Sequence, residues 1–293
     1  MFQEAINNYL QSHGYNTINL KAVLFDMDGV LFNSMPNHAE SWHKVMLRFG
    51  FGLSRDEAYM HEGRTGASTI NIVSRRERGH DATEEEIKAI YQAKTEEFNK
   101  CPMAERMPGA YEVLTKIKEE GLIPMVVTGS GQTSLLDRLN HNFPGIFKKE
   151  LMVTAFDVKY GKPNPEPYLM ALKKAHLQPN EALVIENAPL GVQAGVAAGI
   201  FTIAVNTGPL PDQVLWDEGA NLLFPSMPAF NENWEILKQE LKNKWKEAIS
   251  HYRHVCVKAK ITYHFVIPNK LKNLFTSTLC LQILRKIQND KTK

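Results

Sequence analysis

Two carboxylates separated by one residue stand near the start of this 293-residue chain, in the stretch Lys21-Ala-Val-Leu-Phe-Asp-Met-Asp-Gly. The five residues Lys21–Phe25 contain no turn former and have an apolar centre, so they predict a buried strand. A carboxylate directly after such a strand lies where open α/β sheets bind their ligands. Asp26 and Asp28 can therefore converge on a hard cation such as Mg²⁺, while Gly29 lets the backbone turn away.

Two further polar groups lie downstream, at the ends of other predicted elements. The run Thr128, Gly129 and Ser130 offers a hydroxyl and backbone N–H groups that could hold phosphate oxygens, although the same residues suit an everyday loop. Lys162 lies in a proline-rich loop, residues 161–167. It is either a fixed positive charge for a phosphoryl group or a solvated loop lysine.

Glu186 and Asn187 form the fourth polar cluster, after a predicted strand over residues 182–185. Taken separately they suit a turn or a helix cap, just as Asp-x-Asp-Gly also suits an ordinary turn. Because all four clusters follow elements of one predicted sheet, we expect them to meet at one edge of it. We interpret them together as a catalytic metal site.

Alternating strands and helices must position these groups. After the first strand, we predict strands over residues 125–127, 151–154, 182–185, 200–205 and 222–224, with helices between them. This alternation predicts an α/β fold with a parallel sheet covered on both faces. Residues 35–103 instead show only helical patterns, including the capping sequences Ser54–Glu57 and Thr83–Glu86. We name this inserted segment the cap.

The chain thus divides into a discontinuous core domain, residues 1–34 and 104–228, the cap, and a C-terminal extension, residues 229–293. The segment 251–293 carries nine Lys or Arg against one acidic residue, whereas the remainder carries 25 basic against 31 acidic residues. Residues 232–250 predict a charged surface helix. Further on, residues 261–267 are strand-like and residues 274–287 are basic and partly apolar.

Composition constrains the setting of the protein. The hydrophobic content of 43% suffices for a normal core, and no apolar run reaches the ~20 residues needed to span a bilayer. The N-terminus lacks the basic and apolar regions of a signal peptide, and Cys101, Cys256 and Cys280 lack metal-ligand spacing. We expect a monomeric protein in the reducing cytoplasm.

The motifs Asp26-Met-Asp28-Gly, Thr128, Lys162 and Glu186-Asn187 occur in the order seen in the haloacid dehalogenase (HAD) superfamily, which the chain resembles over about residues 20–228. The resemblance is to the branch with a helical cap inserted after the first motif, which includes β-phosphoglucomutase. It implies a Rossmann-like HAD core. Three shorter stretches look like those of a bacterial inorganic pyrophosphatase of this superfamily: residues 61–66, 155–163 and 185–189.

The resemblance implies that Asp26 attacks phosphorus and forms an aspartyl-phosphate. Asp28 would protonate the leaving oxygen and then take a proton from the hydrolytic water. Mg²⁺ would bind Asp26, the backbone carbonyl of Asp28 and the side chain of Asn187, where much of this branch carries Asp. Glu62 lies in the cap loop 61–66. It could replace the missing negative charge at the metal, or it could be an ordinary polar residue of a solvent-exposed loop.

The same resemblance places Thr128 and Lys162 on the phosphoryl oxygens and lets Glu186 orient Lys162 or a metal-bound water. Arg64 is a candidate clamp for a distal phosphate, or else the partner in a surface salt bridge. His38, in the first predicted cap helix, either assists the acid, as in the mutase-like pattern, or simply lies on the surface of its helix.

We therefore predict a Mg²⁺-dependent phosphohydrolase whose substrate is inorganic pyrophosphate, because a small charged leaving group requires no sugar-binding surface. The alternatives are β-phosphoglucomutase, an isomerase, and a sugar-phosphate phosphatase. A haloacid dehalogenase is disfavoured, since that chemistry uses no Mg²⁺ and does not call for Asp28. The basic tail could instead bind nucleic acid or an anionic membrane, but it contains no recognisable RNA or DNA motif.

Overall fold

A five-stranded parallel sheet lies at the centre of residues 1–242 in a computed structural model of the protein. The structure describes residues 1–130 and 135–258, with the side chains of residues 1–130 and 137–242. The strands are β1 (Ala22–Phe25), β2 (Ile123–Val126), β3 (Ala182–Glu186), β4 (Phe201–Val205) and β5 (Leu222–Phe224). Their order, β2-β1-β3-β4-β5, confirms the predicted α/β fold.

Helices cover this sheet and form the cap. Within the described residues they are α1 (Gln3–His13), α2 (Met35–Arg48), α3 (Arg55–Met60), α4 (Gly66–Arg78), α5 (Glu84–Asn99), α6 (Ala110–Glu119), α7 (Leu135–Asn142), α8 (Glu166–Ala175), α9 (Pro189–Ala197), α10 (Asp212–Asp217) and α11 (Met227–Lys258). None of these helices is both long enough and apolar enough to cross a bilayer.

The first strand shows how the sheet is buried on both faces. Val23 and Phe25 belong to one apolar cluster, which also contains residues of α1, α6 and α11. Ala22 and Leu24 belong to a second cluster with residues of α8 and α9. Successive side chains of a strand point to opposite faces, so an almost wholly apolar strand requires cover on both sides. The chain order reverses at β1 and β3, whose carboxyl ends therefore border a crevice suited to a ligand.

Four helices, α2 to α5, form the cap and enclose an apolar cluster of their own. Thr83 and Glu86 form a complete capping box at the start of α5, as their spacing predicts. At α3 the Ser54 side chain accepts the N–H of Glu57, which caps the helix. The exact limits of the cap, residues 35–103, stay a prediction.

The predicted strand over residues 151–154 is wrong. Lys149–Leu151 is a turn of 3₁₀ helix, and Val153 makes an isolated parallel bridge with Val127. The ladder stops there because Asp157 accepts hydrogen bonds at 2.8 Å from both the backbone N–H and the hydroxyl of Thr154, which bends the chain into a turn.

The last helix, α11, differs from the charged surface helix that we predicted over residues 232–250. Phe230, Trp234, Leu237 and Leu241 are buried in the larger apolar cluster of the sheet. These side chains recur at helical spacing, but the charged residues between them hide the stripe in the sequence. The beginning of the predicted extension therefore packs as part of the core. The strand-like residues 261–267 and the basic residues 274–287 lie outside the described residues.

Candidate active site

The two aspartates of the first motif lie directly beyond β1. The backbone N–H of Asp26 donates to the Ile185 carbonyl at 3.0 Å, which fixes the end of β1 against β3. Gly29 has φ +83°, and a Cβ there would lie 2.0 Å from Asn187 Nδ2. Glycine is therefore required at this position, both for the left-handed backbone and for the close approach of Asn187.

Lys162 reaches the same point from its loop. It is buried, and its ammonium donates to the Asp26 carboxylate, to the Val127 carbonyl at 3.1 Å and to Glu186 Oε1 at 2.6 Å. Burial lowers the pKa of Lys162, but Asp26 and Glu186 outweigh burial and raise this pKa above its usual range. The lysine is therefore a permanent cation at the carboxyl ends of β1, β2 and β3.

The charge balance around Asp26 calls for more positive charge than Lys162 supplies. Burial raises the pKa of Asp26 to about 8; Lys162 lowers it, while Glu186 and Asp28 raise it further. Without an additional cation the Asp26 carboxyl would be largely protonated at neutral pH. A carboxylate nucleophile must be ionised, so this geometry suits a bound divalent cation.

Asp28 lies among hydrogen-bond donors. Ser34 Oγ donates to Asp28 Oδ1 at 2.5 Å, and His38 Nε2 lies 3.4 Å from the same oxygen. Burial raises the pKa of Asp28, but His38 and Ser34 outweigh it and hold the pKa well below its usual range. Asp28 is therefore ionised, the state that a base for hydrolytic water requires. To act first as an acid, Asp28 must hold a proton. This requires the negative charge of a bound substrate to raise the pKa of Asp28.

The cap supplies His38 and a residue that the sequence reasoning did not assign to the site, Lys94. The ammonium of Lys94 lies 2.8 Å from His38 Nδ1 and 4.8 Å from the centre of the Phe98 ring. Burial lowers the pKa of His38, and the charge of Lys94 lowers it further. A neutral His38 that accepts from Lys94 at Nδ1 carries its proton at Nε2, facing Asp28. His38 therefore lies beside Asp28 rather than on an exposed helix surface.

The predicted phosphate loop lies against the cap loop 61–66. Thr128 is buried, and its Oγ1 accepts the N–H of Ser130 at 3.0 Å, so this N–H already has a partner. A Cβ on Gly129 would lie 3.4 Å from the Gly63 carbonyl of the cap loop. A cavity of about 70 Å³ separates the cap loop from the core loops here, lined by Gly63, Thr65, Thr128, Gly129, Ala155, Val158, Lys159, Gly161, Lys162 and Pro167.

Asn187 and Glu62 bring the cap and the core together at the predicted metal position. Asn187 Nδ2 lies 3.2 and 3.1 Å from the two carboxylate oxygens of Glu62. Asn187 Oδ1 is buried and has no hydrogen-bond partner among the described residues. Burial raises the pKa of Glu62 well above its usual range, and the nearby Asp26 and Glu186 raise it further.

An orphaned amide oxygen beside several carboxylates fits a hard cation, which would give Asn187 Oδ1 a partner and offset the negative charge. No group of three or more His, Cys, Asp or Glu in the described part of the chain is itself arranged around a metal position. The fit therefore depends on mixed oxygen donors: carboxylates with the Asn187 amide.

Within the described residues, the side chain of Arg64 makes no hydrogen bond to the other predicted site residues. Its Nε is buried with no hydrogen-bond partner among the described residues, and burial lowers its pKa. No ion pair joins it to a described acidic residue, so a surface salt bridge does not explain it.

Two buried residues of the site escaped the sequence reasoning. Lys94 lies on the apolar side of α5, where a charged residue is unusual and could have signalled a function. Tyr168 on α8 donates from its hydroxyl to Glu186 Oε1 at 2.6 Å. A tyrosine among apolar helix residues is ordinary, so no sequence signal separates Tyr168 from the rest of the core.

Curated proteins with related sequences include phosphatases of sugars and polyols. The chain is 33% identical over 187 residues to hexitol phosphatase A of Escherichia coli, covering 64% of this chain and 83% of that protein. It is 29% identical over 220 residues to a phosphorylated carbohydrates phosphatase of Thermotoga maritima, covering 74% of this chain and all of that protein.

Among solved structures, a candidate β-phosphoglucomutase from Bacteroides vulgatus is 85% identical and superimposes with a TM-score of 0.80, over 82% of this chain and 98% of that one. Neither this protein nor the two phosphatases is described as a pyrophosphatase, so they do not support the predicted resemblance to one. The family model described as haloacid dehalogenase-like hydrolase matches residues 23–205, which run from the second residue of β1 to the end of β4 and include every predicted site residue. The chain therefore belongs to the haloacid dehalogenase-like hydrolase family.

Proposed function

We propose that this protein is a Mg²⁺-dependent phosphohydrolase that works through an aspartyl-phosphate on Asp26. The observation that carries the proposal is the meeting of Asp26, Lys162 and Asn187 at one sheet edge, with a lysine bridging two buried carboxylates. This arrangement offers a nucleophile, a fixed positive charge and an unsatisfied amide oxygen on buried residues that meet at one place.

In the proposed reaction an Asp26 carboxylate oxygen forms a bond to phosphorus while the bond from phosphorus to the leaving oxygen breaks. Asp28 gives its proton to that leaving oxygen and afterwards accepts one from water. The water oxygen then attacks phosphorus, which releases inorganic phosphate and restores the Asp26 carboxylate. Thr128 and Lys162 would hold the phosphoryl oxygens during both steps.

Asp26, the backbone carbonyl of Asp28, Asn187 and Glu62 would hold the Mg²⁺ ion. When bound, it would offset the negative charge of the transferring phosphoryl group. Glu186 would orient Lys162, consistent with their 2.6 Å contact. His38 would keep Asp28 placed for proton transfer, and Arg64 would bind a distal anionic group of the substrate.

Phosphorylated carbohydrates are the substrate class that we propose first. Hexitol phosphatase A and the phosphorylated carbohydrates phosphatase act, by their names, on such compounds, and both align over most of their own length. The solved structure with 85% identity is described as a candidate β-phosphoglucomutase, and this name also refers to a phosphorylated sugar. A mutase would return the phosphoryl group of Asp26 to a sugar, whereas a phosphatase passes it to water.

Inorganic pyrophosphate is the second candidate, and the cap favours it. The Glu62 carboxylate occupies the position facing Asn187, and the neighbouring cavity beside Thr128 and Lys162 measures about 70 Å³. With the cap in this position the space suits a phosphate leaving group better than a hexose. We retain the monomeric state as part of the proposal, to be checked by the mass of the protein in solution.

A substrate panel with and without Mg²⁺ tests the function and separates the candidates. Pyrophosphate, hexitol phosphates and hexose phosphates are compared by phosphate release, and a coupled assay detects glucose 6-phosphate formed from the β-1-phosphate. Asp26→Asn should abolish turnover of every substrate. Phosphate release by Asp26→Asn at the parent rate, or no turnover of any substrate by the parent protein, would refute the proposal.

A further inference from the structure

Tyr168 is a fully buried residue of the site with no part in the proposed reaction. It lies in the first turn of α8, and its hydroxyl donates to Glu186 Oε1 at 2.6 Å. Its ring centre lies 5.3 Å from the Lys162 ammonium. The exposed fractions are 0% for Tyr168 and 1% for Glu186, so water does not compete for this hydrogen bond.

Glu186 is held at both of its carboxylate oxygens. Oε1 accepts from Lys162 at 2.6 Å as well as from Tyr168, and Oε2 accepts from the backbone N–H of Asn187 at 3.1 Å. On its other side, α9 approaches so closely that a Cβ on Gly191 would lie 2.0 Å from Glu186 Cδ. The carboxylate is therefore confined between the Tyr168 hydroxyl and α9.

The direction of the Lys162 ammonium depends on this confinement. An ammonium has three N–H donors, and three acceptors surround it: Asp26, the Val127 carbonyl and Glu186. When a phosphoryl group draws the ammonium away from Asp26, only the Val127 carbonyl and Glu186 still fix its position. A Glu186 side chain free to rotate would let the lysine move away from the reacting oxygens.

We propose, relying on the phosphohydrolase function above, that Tyr168 is a positioning residue of this site. Its hydroxyl fixes the Glu186 carboxylate, and Glu186 in turn aims Lys162 at the transferring phosphoryl group. Outer partners of this kind, with Tyr168 here two contacts removed from the phosphoryl group, typically contribute about 10- to 100-fold to activity.

Tyr168→Phe removes the hydroxyl and keeps the ring, so packing of α8 is preserved. We expect kcat to fall roughly 10- to 100-fold, with KM changed less than kcat because the loss falls on the reacting group. Tyr9→Phe is the matched control: Tyr9 is 1% exposed and its hydroxyl donates to the Gly199 carbonyl at 2.8 Å, outside the site. Thermal unfolding of both variants measures the cost of losing a buried hydroxyl, and only Tyr168→Phe should lose kcat.

A double-mutant cycle tests whether Tyr168 acts through Glu186. In a Glu186→Gln background, Tyr168→Phe should change kcat little, because the group that it positions is already altered. Independent losses that multiply would overturn the proposal. So would full kcat in Tyr168→Phe, or an equal loss in Tyr9→Phe.

A measurement without substrate separates this proposal from the function on which it relies. In ¹⁵N-labelled protein the Lys162 ammonium, held by three buried acceptors, should give a signal protected from hydrogen exchange. Tyr9→Phe should keep the parent's exchange rate, and in Tyr168→Phe the signal should exchange faster because Glu186 is less firmly held. If the parent protein hydrolyses no phosphate compound, the proposed function fails and this exchange rate alone decides the role of Tyr168. If the parent is active but the exchange rate is unchanged in Tyr168→Phe, only the positioning role fails.

Discussion

The stability of the metal-free protein should fall as pH rises, and Asp26 should be a main cause. The folded protein raises the pKa of Asp26 from 3.8 to about 8, chiefly through burial. Between these two values the unfolded chain has released a proton that the folded protein still binds, so the free energy of unfolding decreases with pH. At ~1.4 kcal/mol for each pH unit, the loss across this window is about 6 kcal/mol as an upper limit. Glu62, whose pKa is also raised, adds to the loss.

Two neighbouring groups do not mask this effect. The pKa of Lys162 is raised, so its contribution is lost only at pH values above that window. The pKa of Asp28 is lowered, so its contribution is present above its usual pKa and is lost in acid. His38 and His61, whose pKa values are lowered from 6.5, act in the opposite direction below about pH 6.5, so the window between about pH 6.5 and pH 8 reports mainly on Asp26 and Glu62.

Asp26→Asn tests this reasoning. Denaturant unfolding of the parent protein and the variant is measured in the presence of EDTA from pH 5 to pH 9. The amide of the variant cannot lose a proton, so its stability should lack the pH dependence that Asp26 causes. The variant should be the more stable protein at high pH, by up to several kcal/mol, and Mg²⁺ should stabilise the parent more than the variant. Asp217→Asn, at an exposed carboxylate of α10, is the control and should follow the parent curve. A parent protein whose stability is flat over this range, or a variant that is equally pH-dependent, would refute the argument.

Three further predictions concern the cap and the last helix. Glu62→Ala should weaken Mg²⁺ binding measured by calorimetry, with Glu62→Gln intermediate because its amide oxygen can still bind the ion. Lys94→Met should lower kcat roughly 10-fold, since His38 would lose the partner that sets its tautomer; stopped-flow or steady-state rates check this, and an unchanged rate would exclude the role. Trp234→Ala should cost roughly 3–5 kcal/mol of unfolding free energy, whereas Trp216→Ala, at a side chain that is 42% exposed, should cost far less.

The strand-end motifs were predictable because each is local in sequence. A short apolar strand followed by Asp26, or by Glu186 and Asn187, identifies both the element and the edge at which the side chain lies. The parallel sheet then brings these residues together whatever the details of the connecting helices. The α/β fold and the meeting of Asp26, Glu186 and Asn187 at one sheet edge could therefore be predicted from the sequence.

The parts that the sequence did not predict depend on packing between distant segments. The contact from Lys94 to His38 joins residues 56 positions apart on two cap helices, and the Tyr168 hydroxyl looks like any core tyrosine until Glu186 is placed beside it. The apolar stripe of α11 was hidden because polar residues, one of them charged, separate Phe230 from Trp234. Helical periodicity is a weak signal when the exposed face is strongly charged.

The three acceptors around the Lys162 ammonium bear on how readily the enzyme would release phosphate. Every N–H of this lysine is satisfied before a ligand arrives, so a phosphoryl group replaces the Asp26 carboxylate instead of filling an empty position. The net gain from such an exchange is smaller than that of a new charge-assisted bond. Free phosphate should therefore be a weak product inhibitor, and turnover should continue as it accumulates.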